Sequence, residues 1–211
     1  MARSLFRLCL FAAAALAPAG IAMARIDVVP VGAGADWRAA ATKADRERLR
    51  HWRDAWTAAL TQANRSEAAA IAAGGALFEP DTALAGAEPP PGDYNCRTVK
   101  LGRAELGGTH DYVAYPAARC RIATVDGRVH FTMLTGVQRP VGTIFQDNGR
   151  RMIFLGTMMF GDETRALRYS RDTERNMIGI MERVGDARWR LVFPRPHYES
   201  LLDVIELTPG R

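Results

Sequence analysis

His110-Asp111, Arg139 and Asp162-Glu163 are the residues of this chain whose types could do chemistry together. An imidazole beside carboxylates can move protons, and a guanidinium among them can hold an anion. No metal-binding spacing links them, so the set reads as a solvated rim, the default for polar loop residues, or as a binding surface, rather than as a metal centre. His197-Tyr198-Glu199-Ser200 carries the residue types of a nucleophilic triad. They are adjacent in a Pro-flanked segment, however, and the chain has no G-x-S-x-G turn to present a serine. Gly32-Ala33-Gly34 has Trp37 where a dinucleotide fingerprint needs its third glycine. Asn64-Arg65-Ser66 is formally a glycosylation sequon. No residue is therefore assigned as catalytic, and no metal or cofactor is expected.

The first residues give an address. Arg3 and Arg7 make a positive start, Leu8 to Ala17 is a short apolar run, and Pro18 and Gly20 end it. Ala22-Met23-Ala24 then places small residues where a signal peptidase reads them, so cleavage is expected after Ala24. The run is too short for a membrane span, which needs about 20 apolar residues. Cys9 lies inside the apolar run, in no lipoprotein context. The expectation is an exported, soluble protein, periplasmic or secreted, with a signal peptide over 1–24. The mature chain keeps Cys96 and Cys120, and two cysteines in an oxidising compartment predict a disulfide. The chain has 28 Lys+Arg against 23 Asp+Glu, and removing Arg3 and Arg7 lowers that excess. Acids and bases are interspersed, so nothing points to nucleic acid.

The mature chain reads in two parts, a helical segment with a Pro-rich connector (25–92) and a β domain (93–211), expected to fold as one unit. Thr42 with Asp45 marks a helix start. Leu49, Trp52, Trp56, Leu60 and Ala63 follow at three- and four-residue spacing and make an apolar stripe. Lys43, Arg46, Arg50 and Arg53 make a basic face that Asp45, Glu47 and Asp54 dilute, so it reads as solvated. A second short helix is expected from Ser66 to Gly74-Gly75. Glu88-Pro-Pro-Pro-Gly92 can only be an extended connector.

From Tyr94 onward the residues alternate in short runs between turn signals. Asp126-Gly127 suits a type I′ hairpin, and that turn pairs Thr124 with Val129, Ile122 with Phe131 and Cys120 with Met133, all on one face. Arg119, Arg121, Arg128 and His130 fall on the other. Cys96 comes within reach of Cys120 if Asn95–Leu101 pairs antiparallel along the same strand. Further runs end at Asp147-Asn148-Gly149, Gly161–Thr164 and Gly185-Asp186, with Arg165–Tyr169 taken as a strand. The fold class is thus α+β: an N-terminal helical segment packed on an antiparallel barrel or sandwich meander of about eight or nine strands. Alternating turns would place 102–116, 136–140, 161–164 and 185–187 at one end. That end would gather His110, Asp111, Tyr112, Tyr115, Gln138, Arg139, Asp162 and Glu163.

Several pieces are familiar in combination. They include Asp36-Trp37-Arg38, Pro91-Gly92-Asp93-Tyr94-x-Cys96-Arg97, Cys120-Arg121 and Leu134-Thr135-Gly136-x-Gln138-Arg139-Pro140. Phe154-Leu155-Gly156-Thr157, Arg188-Trp189-Arg190-Leu191 and Glu199-Ser200-x-Leu202-Asp203-Val204 belong with them. With these the chain resembles the bacterial family called domain of unknown function 4893, across nearly all its mature length. The resemblance implies a bacterial exported protein and brings no activity.

The reading is a non-enzymatic periplasmic module that binds a protein or small ligand of the cell envelope. In one version its loops cap an envelope hydrolase. In another, Val129, Phe131, Met133, Phe145 and Met152 line an apolar interior, although a filled core is the expected state of so small a barrel. The alternative is an envelope hydrolase or metal-assisted enzyme using the acids and histidine of the loop end.

Overall fold

A computed structural model describes residues 36–210. The signal-peptide reading of residues 1–24 and the glycines at 32 and 34 lie outside them. Asp36 caps α1 (Trp37–Ala40), and Thr42 caps α2 (Lys43–Arg50) by accepting the Asp45 N–H at 3.1 Å. His51, with φ −95° and ψ 22°, turns the chain into α3 (Trp52–Gly74). The helix expected to start anew at Ser66 is continuous with this one, and only a kink at Glu67 (φ −136°) marks the place. Gly74 and Gly75 end it as expected.

The strands are β1 (Gly92–Arg103), β2 (Tyr112–Ala114), β3 (Ala118–Val125), β4 (Arg128–Met133), β5 (Gln138–Asn148), β6 (Arg151–Phe160), β7 (Asn176–Gly185), β8 (Arg188–Pro194) and β9 (Ser200–Pro209). Each of β3 to β9 pairs with its neighbour, and β1 pairs with both β3 and β9, which closes an eight-stranded antiparallel barrel. The short β2 is an extra strand along the C-terminal half of β1. Asp126 (φ 50°) and Gly127 (φ 71°) are both left-handed, as a type I′ turn requires. The pairs Cys120–Met133, Ile122–Phe131 and Thr124–Val129 have the register this turn dictates. Cys96 and Cys120 form a disulfide with their Cα atoms 5.9 Å apart.

One expected strand is absent. Arg165–Tyr169 is an irregular part of the connection from β6 to β7. Tertiary partners account for this: the Tyr169 hydroxyl donates to the Asp45 carboxylate and accepts the Thr42 N–H at 2.9 Å, which draws the segment onto the start of α2. Losing that strand changes the parity of every later turn. The 185–187 turn therefore lies at the far end of the barrel, and the β8–β9 loop (195–199) takes its place beside 104–117, 134–137 and 161–175.

Three apolar clusters follow from strand alternation. The barrel interior holds Ile122, Phe131, Met152, Phe154, Met181, Leu191, Phe193 and Ile205. Phe131, Phe154 and Phe193 pack edge to face, with centroids 6.1 and 5.4 Å apart. Gly142 and Gly156 sit opposite each other under Phe154. A Cβ on either would come within 2.6 or 2.5 Å of its ring, so only glycines admit this packing. The interior is thus filled at this level. Phe145, expected inside, packs on the outer face with Trp37, Leu49 and Ile153. Trp56, Ala59 and Ala63 of α3 cover Val99, Leu101, Val192, Leu202 and Val204 on the opposite flank.

The two ends differ. At one, Tyr94 and Trp189 meet edge to face at 5.9 Å, and the Tyr94 hydroxyl donates to the Pro90 carbonyl at 2.6 Å. The connector crosses this end, with Ala87 buried and the Gly86 N–H donating to the Gly149 carbonyl at 3.0 Å. The other end is a mouth framed by the loops after β1, β4, β6 and β8.

His130 shows that outward does not mean solvated. It faces away from the interior between Ala123 and Thr143, yet is buried, with Nδ1 3.3 Å from the Thr143 hydroxyl. Burial first, and then the nearby Arg128, lowers its pKa, although carbonyl contacts and Asp126 oppose them. His130 is thus neutral when folded, whereas in the unfolded chain it gains a proton near pH 6.5. Its contribution is complete above that pH and is lost as pH falls toward the folded value. His197 is lowered in the same sense and the exposed His51 is raised, so the test is a difference between proteins. His130→Gln should flatten the loss of urea midpoint between pH 7 and pH 5, and an unchanged slope would contradict the assignment.

Candidate functional site

Five side chains converge inside the mouth. Lys100 lies on β1 in the same inward phase as Tyr94 and Cys96, and its strand partner across the closing seam is Asp203 of β9. The Lys100 ammonium is 3.1 Å from Asp203 Oδ2 and 3.2 Å from Glu199 Oε2. Ser200 donates to the other Asp203 oxygen, and Gln138 Nε2 donates to Glu199 Oε1 at 3.3 Å. The side chains of Lys100 and Asp203 are 8% and 4% exposed, whereas that of Glu199 is 40% exposed. The mouth therefore carries one buried ammonium, one buried carboxylate and one carboxylate at the water boundary.

The electrostatics follow from that difference. Burial opposes the Lys100 charge, but the contacts with Asp203 and then Glu199 outweigh it and leave its pKa raised, so the amine keeps its proton. Burial lifts the Asp203 carboxyl, with Lys100 and Ser200 pulling the other way. A protonated amine shared by two carboxylates is no base for the neighbouring Ser200 hydroxyl, which is itself committed to Asp203.

The backbone fixes Glu199 while leaving its side chain free to turn. Its N–H donates to the Leu106 carbonyl and its carbonyl accepts the Ala104 N–H, both at 3.1 Å. Gly108 makes this approach possible, since a Cβ there would lie 2.6 Å from the Glu199 carbonyl oxygen. Arg195 (φ 45°) and Glu199 (φ 72°) are both left-handed, a costly backbone for side chains of this size at the two ends of one short loop.

Two cavities meet at Lys100 and Gln138. The larger, about 520 Å³, is lined by Thr98, Lys100, Tyr115, Met133, Val137, Gln138 and the small residues around 116–118 and 135–136. The smaller, about 30 Å³ between Phe160, Met177, Phe193, His197 and Asp203, has room for water but not for an organic ligand.

The residues proposed from sequence are at the same end but do not form one constellation. Arg139 Nη2 donates to the Gly161 and Glu163 carbonyls at 2.8 and 2.7 Å, which ties the β5 start to the β6–β7 connection. Glu163 accepts the Phe160 N–H at 2.8 Å and pairs with Arg175 at 2.7 Å. Arg175 lowers its pKa most, the Phe160 N–H next. Asp162 is exposed in that turn. Asp111 pairs with Arg103 at 2.8 Å, and His110 Nδ1 is 2.7 Å from the Thr109 hydroxyl. None of the five lines either mouth cavity. Among the described residues no three His, Cys, Asp or Glu are grouped to hold a metal ion. No helix among them is long and apolar enough to cross a membrane.

Lys100 and Asp203 have no part in the sequence-derived site. Glu199 and Ser200 enter it only through the triad-like run 197–200, and their side chains bind Lys100 and Asp203 here rather than each other. A signal existed: counting by twos from Cys96 puts a lysine inside the barrel, and counting back from Ile205 puts an aspartate there.

The family model described as a domain of unknown function (DUF4893) matches residues 37–207, from the first residue of α1 into the last strand. The chain belongs to this family. No curated protein and no solved structure matches it. The DUF4893 match contains all five residues of the mouth cluster, both disulfide cysteines and the barrel seam from the Cys96–Leu207 pair to the Arg103–Ser200 pair. The cluster is therefore part of the family domain and not of a terminal addition.

Proposed function

We propose that this DUF4893 protein is an exported, non-enzymatic binding module whose barrel mouth takes a small apolar ligand. The observation that carries the reading is the cavity of about 520 Å³ beside buried Lys100. Its size and mixed lining suit a small-molecule site, with apolar walls from Met133, Val137 and Tyr115 and a few polar groups at its inner edge. The plugged far end and the filled interior support a ligand held at the mouth rather than one swallowed whole. Export rests on the N-terminal pattern of residues 1–24 and is supported by the Cys96–Cys120 disulfide, a bond favoured in oxidising compartments. The rim formed by His110, Asp111, Arg139, Asp162 and Glu163 would contact whatever delivers or receives the ligand.

The test uses N-phenylnaphthylamine, a neutral apolar dye that brightens on leaving water. The protein should enhance its emission in a saturable way. Ala117→Trp, at an exposed cavity-lining position, should abolish the enhancement with an unchanged melting temperature. Equal binding by the variant, or no saturable binding by either protein, would refute the proposed site.

A further inference from the structure

The arrangement of charge at the mouth says more about the ligand. By formal charge the mouth holds one carboxylate more than it has ammonium: Lys100 meets buried Asp203 and partly exposed Glu199, and the second Asp203 oxygen accepts from Ser200. Glu199 is then a surplus carboxylate. It touches the same ammonium at 3.2 Å, is otherwise held by a single side-chain bond from Gln138, and is substantially exposed. Its backbone is pinned by the 104–106 segment, so its side chain can leave without moving the loop.

Resting on the binding reading above, we infer that Glu199 occupies a carboxylate subsite as an internal stand-in, and that the ligand is a small apolar carboxylic acid. The ligand's carboxylate would replace that of Glu199 on Lys100 Nζ and Gln138 Nε2, and its apolar part would fill the cavity lined by Met133, Val137 and Tyr115. The exchange keeps the charge at Lys100 constant. A neutral ligand would leave Glu199 in place, and a cationic one would meet the Lys100 ammonium. The adjoining small cavity adds the exposed Glu174 and the cations Arg175 and Arg48. The two cations are paired with Glu163 and Asp45, which leaves Lys100 as the direct contact.

The test measures displacement of N-phenylnaphthylamine by decanoate, decanol and decylamine at pH 7.5 in the wild type and in Glu199→Gln. This conservative variant keeps the backbone contacts and removes the competing charge. Decanoate should compete about tenfold better than decanol, the size of one charge-assisted contact. Glu199→Gln should tighten decanoate by about tenfold again and leave decanol unchanged. If decanoate and decanol compete equally and the variant alters neither, the carboxylate subsite is wrong while the apolar site stands. If decylamine competes best and weakens in the variant, Glu199 is itself the recognition group and the inference is overturned. If the dye never binds, the site and the inference both fall.

Discussion

Arg190→Met is expected to destabilise the protein by about 3–5 kcal/mol, the cost of stripping one partner from a buried ion pair. Arg190 is fully buried on the outer side of β8, beneath the segment that follows α3. Its Nε and Nη2 donate to Glu182 Oε2 at 2.8 and 2.6 Å. Nη1 donates to the carbonyls of Ala76, Leu77 and Glu79 at 2.8, 3.2 and 2.7 Å, and Nη2 to that of Pro80 at 3.3 Å. The guanidinium also lies 4.6 Å from the centre of the Trp56 ring. Burial pulls its pKa down, and Glu182 opposes that pull. Methionine fills similar space but leaves Glu182 with Arg151 alone and four carbonyls without this donor. Lysine would not rescue it, because a point charge cannot replace a planar fork. Urea unfolding should show the loss, and pairing the change with Glu182→Leu should recover much of it. A loss below about 1 kcal/mol would mean that the 76–80 segment is held by packing alone.

Replacing both cysteines by alanine should cost about 3–4 kcal/mol, the chain-entropy value for a crosslink spanning a separation of 24 residues. The bond joins β1 to β3 on the inner face, where both cysteines are fully buried. It also closes the connection that carries β2 and the 115–117 stretch of the mouth wall. In the unfolded chain this crosslink is what holds the ends of the 96–120 loop together, so its loss releases the loop-closure entropy. The loss appears as a lower urea midpoint for Cys96→Ala/Cys120→Ala than for the oxidised wild type. An unchanged midpoint would show that the β1–β9 seam already holds this edge. Alkylation without reduction should label neither cysteine of the folded wild type.

Local chemistry was the legible part of the fold. Two left-handed residues in the Asp126-Gly127 turn set the β3–β4 register, and alternation carried that register to the cysteines and the inner core. Thr42 and Asp45 marked a helix start because a cap is a contact between near neighbours. What was not legible depended on distant partners. Tyr169 looks like a strand residue until Asp45, far back in the chain, accepts a hydrogen bond from its hydroxyl. That one error moved the 185–187 turn to the wrong end and left the 195–199 loop out of the mouth.

The candidate site was hidden for the same reason. Lys100 and Asp203 meet only because the first and last barrel strands pair. A lysine within a run of alternating residues reads as solvent-facing until the barrel's inward phase is carried to the end of the strand. Glu182 and Arg190 show the converse. They do face outward, but α3 and its following segment cover that face, so the outward charges are buried. Sequence alternation separates the two faces of a sheet, and only the helix packing tells which patches of the outer face meet water.

Methionine methyl groups give the most direct test of the mouth as the ligand site. Met133 lines the cavity, Met158 and Met177 line the small void next to it, and Met152 and Met181 lie deep in the filled interior. In an NMR titration of methyl-labelled protein with decanoate, Met133 should shift most, with saturation, while Met152 and Met181 stay fixed. No shift at Met133, or equal shifts at all five methyls, would contradict a ligand held at the mouth beside Lys100.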